Sequence, residues 1–393
     1  MATPNDAPAR WATTLRCSRT DETAPLDAPA FLSPAGAPWL VDYDLDPERG
    51  RALMESLGER PWSLWRYAEL LPLRDAGRRV DLGEGGTPLV PLHRAGTWLP
   101  GAAEVEMLLK QEAGNPTGSF KDRGLSLAVN RARELGAAGV QLPSAGNAGI
   151  ALAAYAAAAG LHARIAVPAD TPAVIERRCR EVGAEVFRQG DNLVEAGAFL
   201  NQQPDAAEFW NLATLKEPYR AEGKKTMGLE LAEQLGWQLP DWVIYPTGGG
   251  TGIVGMAKAF DELERLGLIG SKRPRFVVVQ MKGCAPIVRA FERGDDTATP
   301  WSDPDTEVWG LRVPQAVGDF LILRALRETD GRALAVDEKR LEEISERFRR
   351  HEGQLLGPEG AAVLLAAEDL LARGDIQPGQ RVVLFQTGHP ANY

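Results

Sequence analysis

The segment GNPTGSFKDRG, residues 114–124, sets Lys121 among small and turn-forming residues. A solvated surface is the ordinary place for a lysine. Held in a desolvated pocket instead, a lysine loses its proton more readily, and the neutral amine can condense with an aldehyde. Three further stretches could serve such a reaction. PSAGNAG (143–149) sets Asn147 between Gly146 and Gly149, PTGGGTG (246–252) runs Gly248, Gly249, Gly250, Thr251 and Gly252 together, and QTGHPANY (386–393) carries Thr387.

A glycine run lets several backbone N–H groups converge, and a helix starting there adds the positive end of its dipole, so an anion is held without a charged side chain. A tight strand-to-helix turn is the plainer reading, but one glycine suffices for a turn. Neither GxGxxG spacing nor a Walker GK[ST] is present, which disfavours a dinucleotide or a triphosphate and leaves a monophosphate. Pyridoxal 5'-phosphate combines one phosphate with an aldehyde that Lys121 could capture. Asn147 could then donate its amide to the ring's phenolic oxygen; its alternative is an Asx turn or helix cap.

Such residues need elements to position them. From residue 100 onward short β-rich runs (GVQLPS, ARIAVPA, AEVFRQ, DWVIYPTG, RFVVVQM, RVVLFQTG) alternate with helical stretches such as GIALAAYAAAAG and KKTMGLELAEQLG, the pattern of βαβ units and parallel sheets. In open parallel sheets ligands bind where strands end at their carboxyl side, and all three glycine-bearing turns follow predicted strands. The charged run VDEKRLEEISERFRRHEG reads as a solvated helix face. Residues 1–75 read as an N-terminal arm, with Trp62, Trp65, Arg66 and Tyr67 packing it onto the body.

At 393 residues, 44% hydrophobic and 25% charged, the chain is long enough for two domains. A net charge of −10 argues against nucleic acid and anionic membranes as partners. No run approaches the about 18 apolar residues of a membrane span, and MATPNDAPAR lacks a secretion leader's apolar stretch, so a cytoplasmic enzyme is expected. The three cysteines and four histidines are dispersed, which speaks against a metal site.

The four segments, in this order and at these separations, resemble the cofactor segments of the fold-type II pyridoxal phosphate enzymes, and within them the threonine synthases: NPTGSFKDRG, GEGGTPL (83–89), YRAEGKKT (219–226, a variant of EGQKT) and TGH. The resemblance implies two three-layer αβα domains with mainly parallel sheets and the cofactor in the cleft between them. A large domain would comprise residues 76–124 and 206–393, and a small substrate-side domain residues 125–205. It implies that Lys121 holds the cofactor and shuttles protons and that Asn147 meets the ring's O3'. Gly248–Gly252 would cradle the phosphate, and Thr387 would meet the pyridine nitrogen. A hydroxyl there, unlike a carboxylate, does not keep that nitrogen protonated, which favours elimination and replacement over transamination.

Ser144, Ala145 and Gly146 would bind the substrate carboxylate, and Arg220, with Lys225, a substrate phosphate; the alternative for Arg220 is an ion pair with Glu217 or Glu222. The implied reaction converts O-phospho-L-homoserine and water to L-threonine and phosphate by γ-elimination and β-hydration, in a homodimer by the family's habit.

The sequence also departs from that pattern. Ala145 stands where threonine synthases often carry a threonine, and Thr214-Leu215 where they often carry Asn-Ser. SAGNAG is closer to the ammonia-lyases that act on serine or threonine, which supply the alternative function. HPANY replaces a GLK-type ending, and Cys17 lacks the partner at Thr20 that a zinc ribbon requires. A binding protein without catalysis is a third reading, opposed by an intact Lys121.

Overall fold

The computed structural model describes residues 10–28 and 31–392. Residues 1–9, which carry the reading of a start without a leader, and Tyr393, which ends the terminal turn, lie outside the described residues.

Six strands form the larger sheet, in the order Arg332–Val336, Arg275–Met281, Trp242–Pro246, Arg381–Gln386, Glu106–Gln111, Leu89–Pro91. All pairs are parallel except the last, where Leu89–Pro91 runs against Glu106–Gln111 at the edge. The central strands are apolar on both faces because helices cover both, as parallel sheets require. Val243, Tyr245, Phe276, Val278, Val383 and Phe385 face one core, with the helices Tyr219–Gln234 and Thr251–Arg265. Trp242, Ile244, Val277, Val279, Val382 and Leu384 face the other, with the helix Pro358–Ala372. Burying each such side chain contributes roughly 1.5–3 kcal/mol of transfer free energy.

The smaller sheet is fully parallel, in the order Glu185–Arg188, His162–Val167, Gly139–Pro143, Phe209–Asn211. Val140, Leu142, Ile165 and Val167 pack against the helices Lys121–Glu134 and Asn147–Ala159, while Ala166 on the reverse meets Ala196 and Leu200 of the helix Leu193–Asn201. Its last strand, FWN, lies within the stretch expected to belong to the large domain. Three residues with no clear alternation give too little pattern to place a strand.

The arm is more ordered than its composition suggests. Ala12–Cys17 pairs antiparallel with Thr23–Pro25 and Trp39–Tyr43, and the helix Pro47–Leu57 follows, capped by the Asp46 carboxylate on Arg49 N. Leu15, Val41 and Tyr43 bury completely or nearly so against the large domain's core. Among the described residues no helix is long and apolar enough to cross a membrane, and no group of three or more His, Cys, Asp or Glu could hold a metal ion.

Candidate active site

A narrow cleft opens at the carboxyl ends of both sheets. Lys121, Asn147, Gly248, Gly249, Gly250, Thr251, Gly252 and Thr387 all line it, so side chains and loops far apart in sequence converge on one space. The loop before Lys121 is knitted to the terminal segment: Phe120 N–H donates to Thr387 O at 3.0 Å, and His389 N–H to Gly118 O at 2.8 Å. Asp122, next to the lysine, turns away and accepts from Thr117 N at 2.6 Å and from its hydroxyl. Lys121 opens the helix Lys121–Glu134, its Nζ 3.9 Å from the Phe120 ring centroid. Burial, reinforced by the nearby positive charge of Arg220, lowers its pKa to about 7. At neutral pH a substantial fraction is therefore the nucleophilic free amine.

The glycine loop joins the strand Trp242–Pro246 to the helix Thr251–Arg265. Gly250 sits in the left-handed region at φ +78°, and a Cβ there would come within 2.1 Å of Ile322 Cδ1. Only glycine turns this corner so tightly. The loop amides and the helix N-terminus favour an anion.

Sequence reasoning missed Lys224. Its Nζ donates to Thr251 Oγ1 at 2.5 Å, 4.8 Å from the same Phe120 ring, with none of the side chain exposed. Its pKa is pushed well down by burial and then by the charges of Arg220 and Lys121. The signal was the spacing: Arg220 and Lys224 are four residues apart and share one face of the helix Tyr219–Gln234, whereas Lys225 lies a third of a turn away.

Lys225 accordingly does not reach the cleft. It bridges Glu222 at 2.8 Å and Glu262 at 2.7 Å, over the Tyr43 ring.

Arg220 is buried, 1% exposed, and does not pair with either carboxylate proposed for it. Glu217 instead accepts from Tyr219 N at 2.6 Å and from Arg220 N, capping the helix, while Glu222 serves Tyr43 and two lysines. The guanidinium donates Nη1–H to Leu212 O at 2.6 Å, and Nε and Nη2 have no hydrogen-bond partner. Burial lowers the Arg220 pKa to about 10 and raises that of Glu217 to about 7.

Ser144, Ala145 and Gly146 precede Asn147 at the entrance of its helix. The Ser144 hydroxyl accepts from Gly149 N at 3.0 Å and Gly146 N at 3.3 Å, so it is committed to the turn. Glu359, which the sequence did not single out, also lines the cleft, and its charge opposes the lowering of the Lys121 pKa.

The residues present fit a pyridoxal group bearing one phosphate: a depressed amine for the aldehyde, a hydroxyl and an amide for the ring, and a glycine cradle backed by Lys224 for the phosphate.

Comparisons with known proteins agree. A family model described as pyridoxal-phosphate dependent enzyme matches residues 80–388. The chain is 32% identical to a threonine synthase of Methanocaldococcus jannaschii over 375 residues, covering 95% of this chain and 91% of that one. With a threonine synthase of Methanosarcina acetivorans it shares 33% identity, covering 89% and 85%. Similar solved structures include the processed form of threonine deaminase isoform 2 from Solanum lycopersicum, with TM-score 0.64, 20% identity and 87% and 90% covered. The cysteine synthase of Entamoeba histolytica has TM-score 0.66, 19% identity and 79% and 86% covered. These structural likenesses speak to the fold alone. With the family model spanning most of the chain and the relatives nearly all of it, the protein belongs to the pyridoxal-phosphate dependent enzymes of fold type II, as a threonine synthase-like lyase.

Proposed function

We propose that the enzyme converts O-phospho-L-homoserine and water to L-threonine and inorganic phosphate. The observation that carries this reading is the buried Arg220 guanidinium, whose Nε and Nη2 lack hydrogen-bond partners. A buried cation in that state needs an acceptor, and a planar fork of donors suits a phosphate. The glycine loop and Lys224 serve the cofactor's phosphate, so Arg220 is free to meet a second one, on the substrate. The threonine synthases among the relatives support the same reaction.

The bound cofactor withdraws electrons from the substrate's Cα, which acidifies its proton. In this reading Lys121 would hold the cofactor and, as a neutral amine, would take the Cα proton and carry protons from Cβ and to Cγ as the phosphate departs. Arg220 holds the phosphate leaving Cγ and stabilises the charge it gains. Thr387 would hold the ring nitrogen and Asn147 the ring oxygen. The Ser144–Gly146 turn would receive the substrate carboxylate, with Ala145 N–H as its donor, since Ser144 N and Gly146 N are bonded to Ala166 O and the Ser144 hydroxyl. The same reading expects a homodimer.

A second reading, an ammonia-lyase acting on serine, threonine or another β-hydroxy amino acid, is favoured by Ala145, which puts no hydroxyl beside a substrate phosphate. The deciding experiment supplies O-phospho-L-homoserine, L-threonine and L-serine separately and measures phosphate, threonine and 2-oxoacid. Stoichiometric phosphate and threonine from the first is the expected result. 2-Oxoacid from threonine or serine, with no phosphate released from O-phospho-L-homoserine, replaces the first reading with the second.

A further inference from the structure

Asn392 lies close to the end of the chain yet is 3% exposed, between the lysine loop and the small sheet's helices. Its Oδ1 accepts from Nη1 of Arg178, on the helix Ala173–Glu181, whose Nη2 also donates to Thr117 O at 3.3 Å. Its Nδ2 faces three acceptors: Thr117 O at 3.3 Å, Gly118 O at 3.2 Å and Asn147 Oδ1 at 2.8 Å. The fit is close, since a Cβ on Gly118, at φ +83°, would stand 3.0 Å from Asn392 Nδ2.

An asparagine amide can usually be turned end for end, because its two ends are nearly the same size. Here chemistry forbids it. Arg178 can only donate, so it requires the oxygen of Asn392; the carbonyls of Thr117 and Gly118 can only accept, so they require the nitrogen. With Asn392 fixed, its nitrogen demands an acceptor from Asn147. Asn147 must therefore present Oδ1 to Asn392, so the other end of its amide is the donor Nδ2, on a residue that lines the cleft.

We propose that Arg178 and Asn392 are positioning residues that set the hydrogen-bond polarity of Asn147, so that it offers the cofactor's ring oxygen a donor and never a lone pair. The proposal rests on the reading that Asn147 meets that oxygen. A donor favours the ionised phenolic oxygen, whereas a reversed amide would set lone pair against lone pair. The relay also explains how a residue near the terminus acts on a cofactor it need not touch: it joins the small sheet's helices to the lysine loop.

The test compares pyridoxal 5'-phosphate with 3-deoxypyridoxal 5'-phosphate, which lacks the ring oxygen, by measuring the dissociation constant of each with the full-length protein. Wild type should prefer the natural cofactor by about tenfold or more, the scale of one hydrogen bond to a charged group. Asn147→Ala should abolish that preference. Asn392→Ala should reduce it, and Asn392→Asp, which offers Asn147 only acceptors, should reduce it further.

Arg178→Lys, keeping a donor, should retain more of the preference than Arg178→Met, and thermal unfolding of the variants confirms that they fold. In the loaded protein, the long-wavelength band of the ionised ring should weaken in the same order. If Asn147→Ala loses the preference while the Asn392 and Arg178 variants keep it, the relay is overturned and the role of Asn147 stands. If Asn147→Ala keeps it, the role of Asn147 falls, and the relay with it.

Discussion

At the residue scale the cleft is an excess of buried positive charge. On top of what burial does, Arg220 lowers the proton affinity of Lys121, and Arg220 and Lys121 lower that of Lys224. For Lys121 the result is a free amine near neutral pH. Below about pH 7 it is protonated and unreactive, and above it neutral, so the rate at which cofactor-free protein captures pyridoxal 5'-phosphate should rise with pH through a midpoint near 7. Removing the neighbouring charge in Arg220→Met raises the lysine's pKa, and the midpoint should move upward. The move should be modest, because burial is the larger cause. A midpoint that stays put or falls would place Arg220 too far away for the role assigned to it.

Lys224 answers to a different probe. An arriving dianion reverses the balance that disfavours its ammonium, so Lys224→Gln should weaken pyridoxal 5'-phosphate binding about tenfold, roughly 1.4 kcal/mol. Pyridoxal without phosphate should bind as before. Equal weakening of both would remove Lys224 from the phosphate.

At the scale of elements, the helix Tyr219–Gln234 brings Lys224 to the cleft wall and Arg220 close behind it because it is packed closely on two sides. Toward the helix Lys121–Glu134 it presents Gly223, where a Cβ would stand 2.1 Å from Arg123 O. Toward the helix Thr251–Arg265 it presents Gly228, where a Cβ would meet that of Ala259 at 2.8 Å. Without these close approaches Lys224 could not span to Thr251, nor could Arg220 sit near Lys121. Gly223→Ala should force the first pair apart, costing about 1–3 kcal/mol of stability as overpacked cores do, and weaken cofactor binding with it. Gly58→Ala, where a Cβ meets nothing within 4 Å, is the control and should leave both unchanged. Thermal unfolding and cofactor titration read the two effects, and unimpaired binding in a destabilised Gly223→Ala would detach the helix crossing from the site.

For the molecule as a whole, the α/β architecture was legible because strands buried on both faces declare themselves as apolar runs, RFVVVQM and RVVLFQ above all. The convergence of the asparagine, glycine and threonine segments was legible through turns that must end strands, whereas the lysine segment joined them only through aldehyde chemistry and the family resemblance, because no strand is read before it. Hidden were contacts that local pattern does not encode: the arm's sheet and the Arg178–Asn392–Asn147 relay. Which of two adjacent lysines faces the cleft was open to helical spacing but masked by the absence of a polar outer face. Tyr219–Gln234 has no polar face turned to water; it has one face toward the cleft and another toward the arm, where Tyr43 O–H donates to Glu222 at 2.7 Å and Lys225 and Lys258 lie over its ring. Lys225, Lys258, Glu222 and Glu262 balance in charge there. Lys225→Met leaves two buried carboxylates sharing one lysine, so unfolding free energy should drop by about 3–5 kcal/mol, the scale for breaking a buried pair. Adding Glu222→Gln, which restores neutrality, should recover part of it. Neither change should alter the preference for a phosphorylated over a hydroxylated substrate, because the cluster lies behind the helix. Arg220→Ala should show the opposite pattern, losing the phosphorylated substrate far more than the hydroxylated one. Denaturant unfolding alongside kcat/KM for both substrates separates the two faces, and a selectivity change in Lys225→Met would return that lysine to the substrate side.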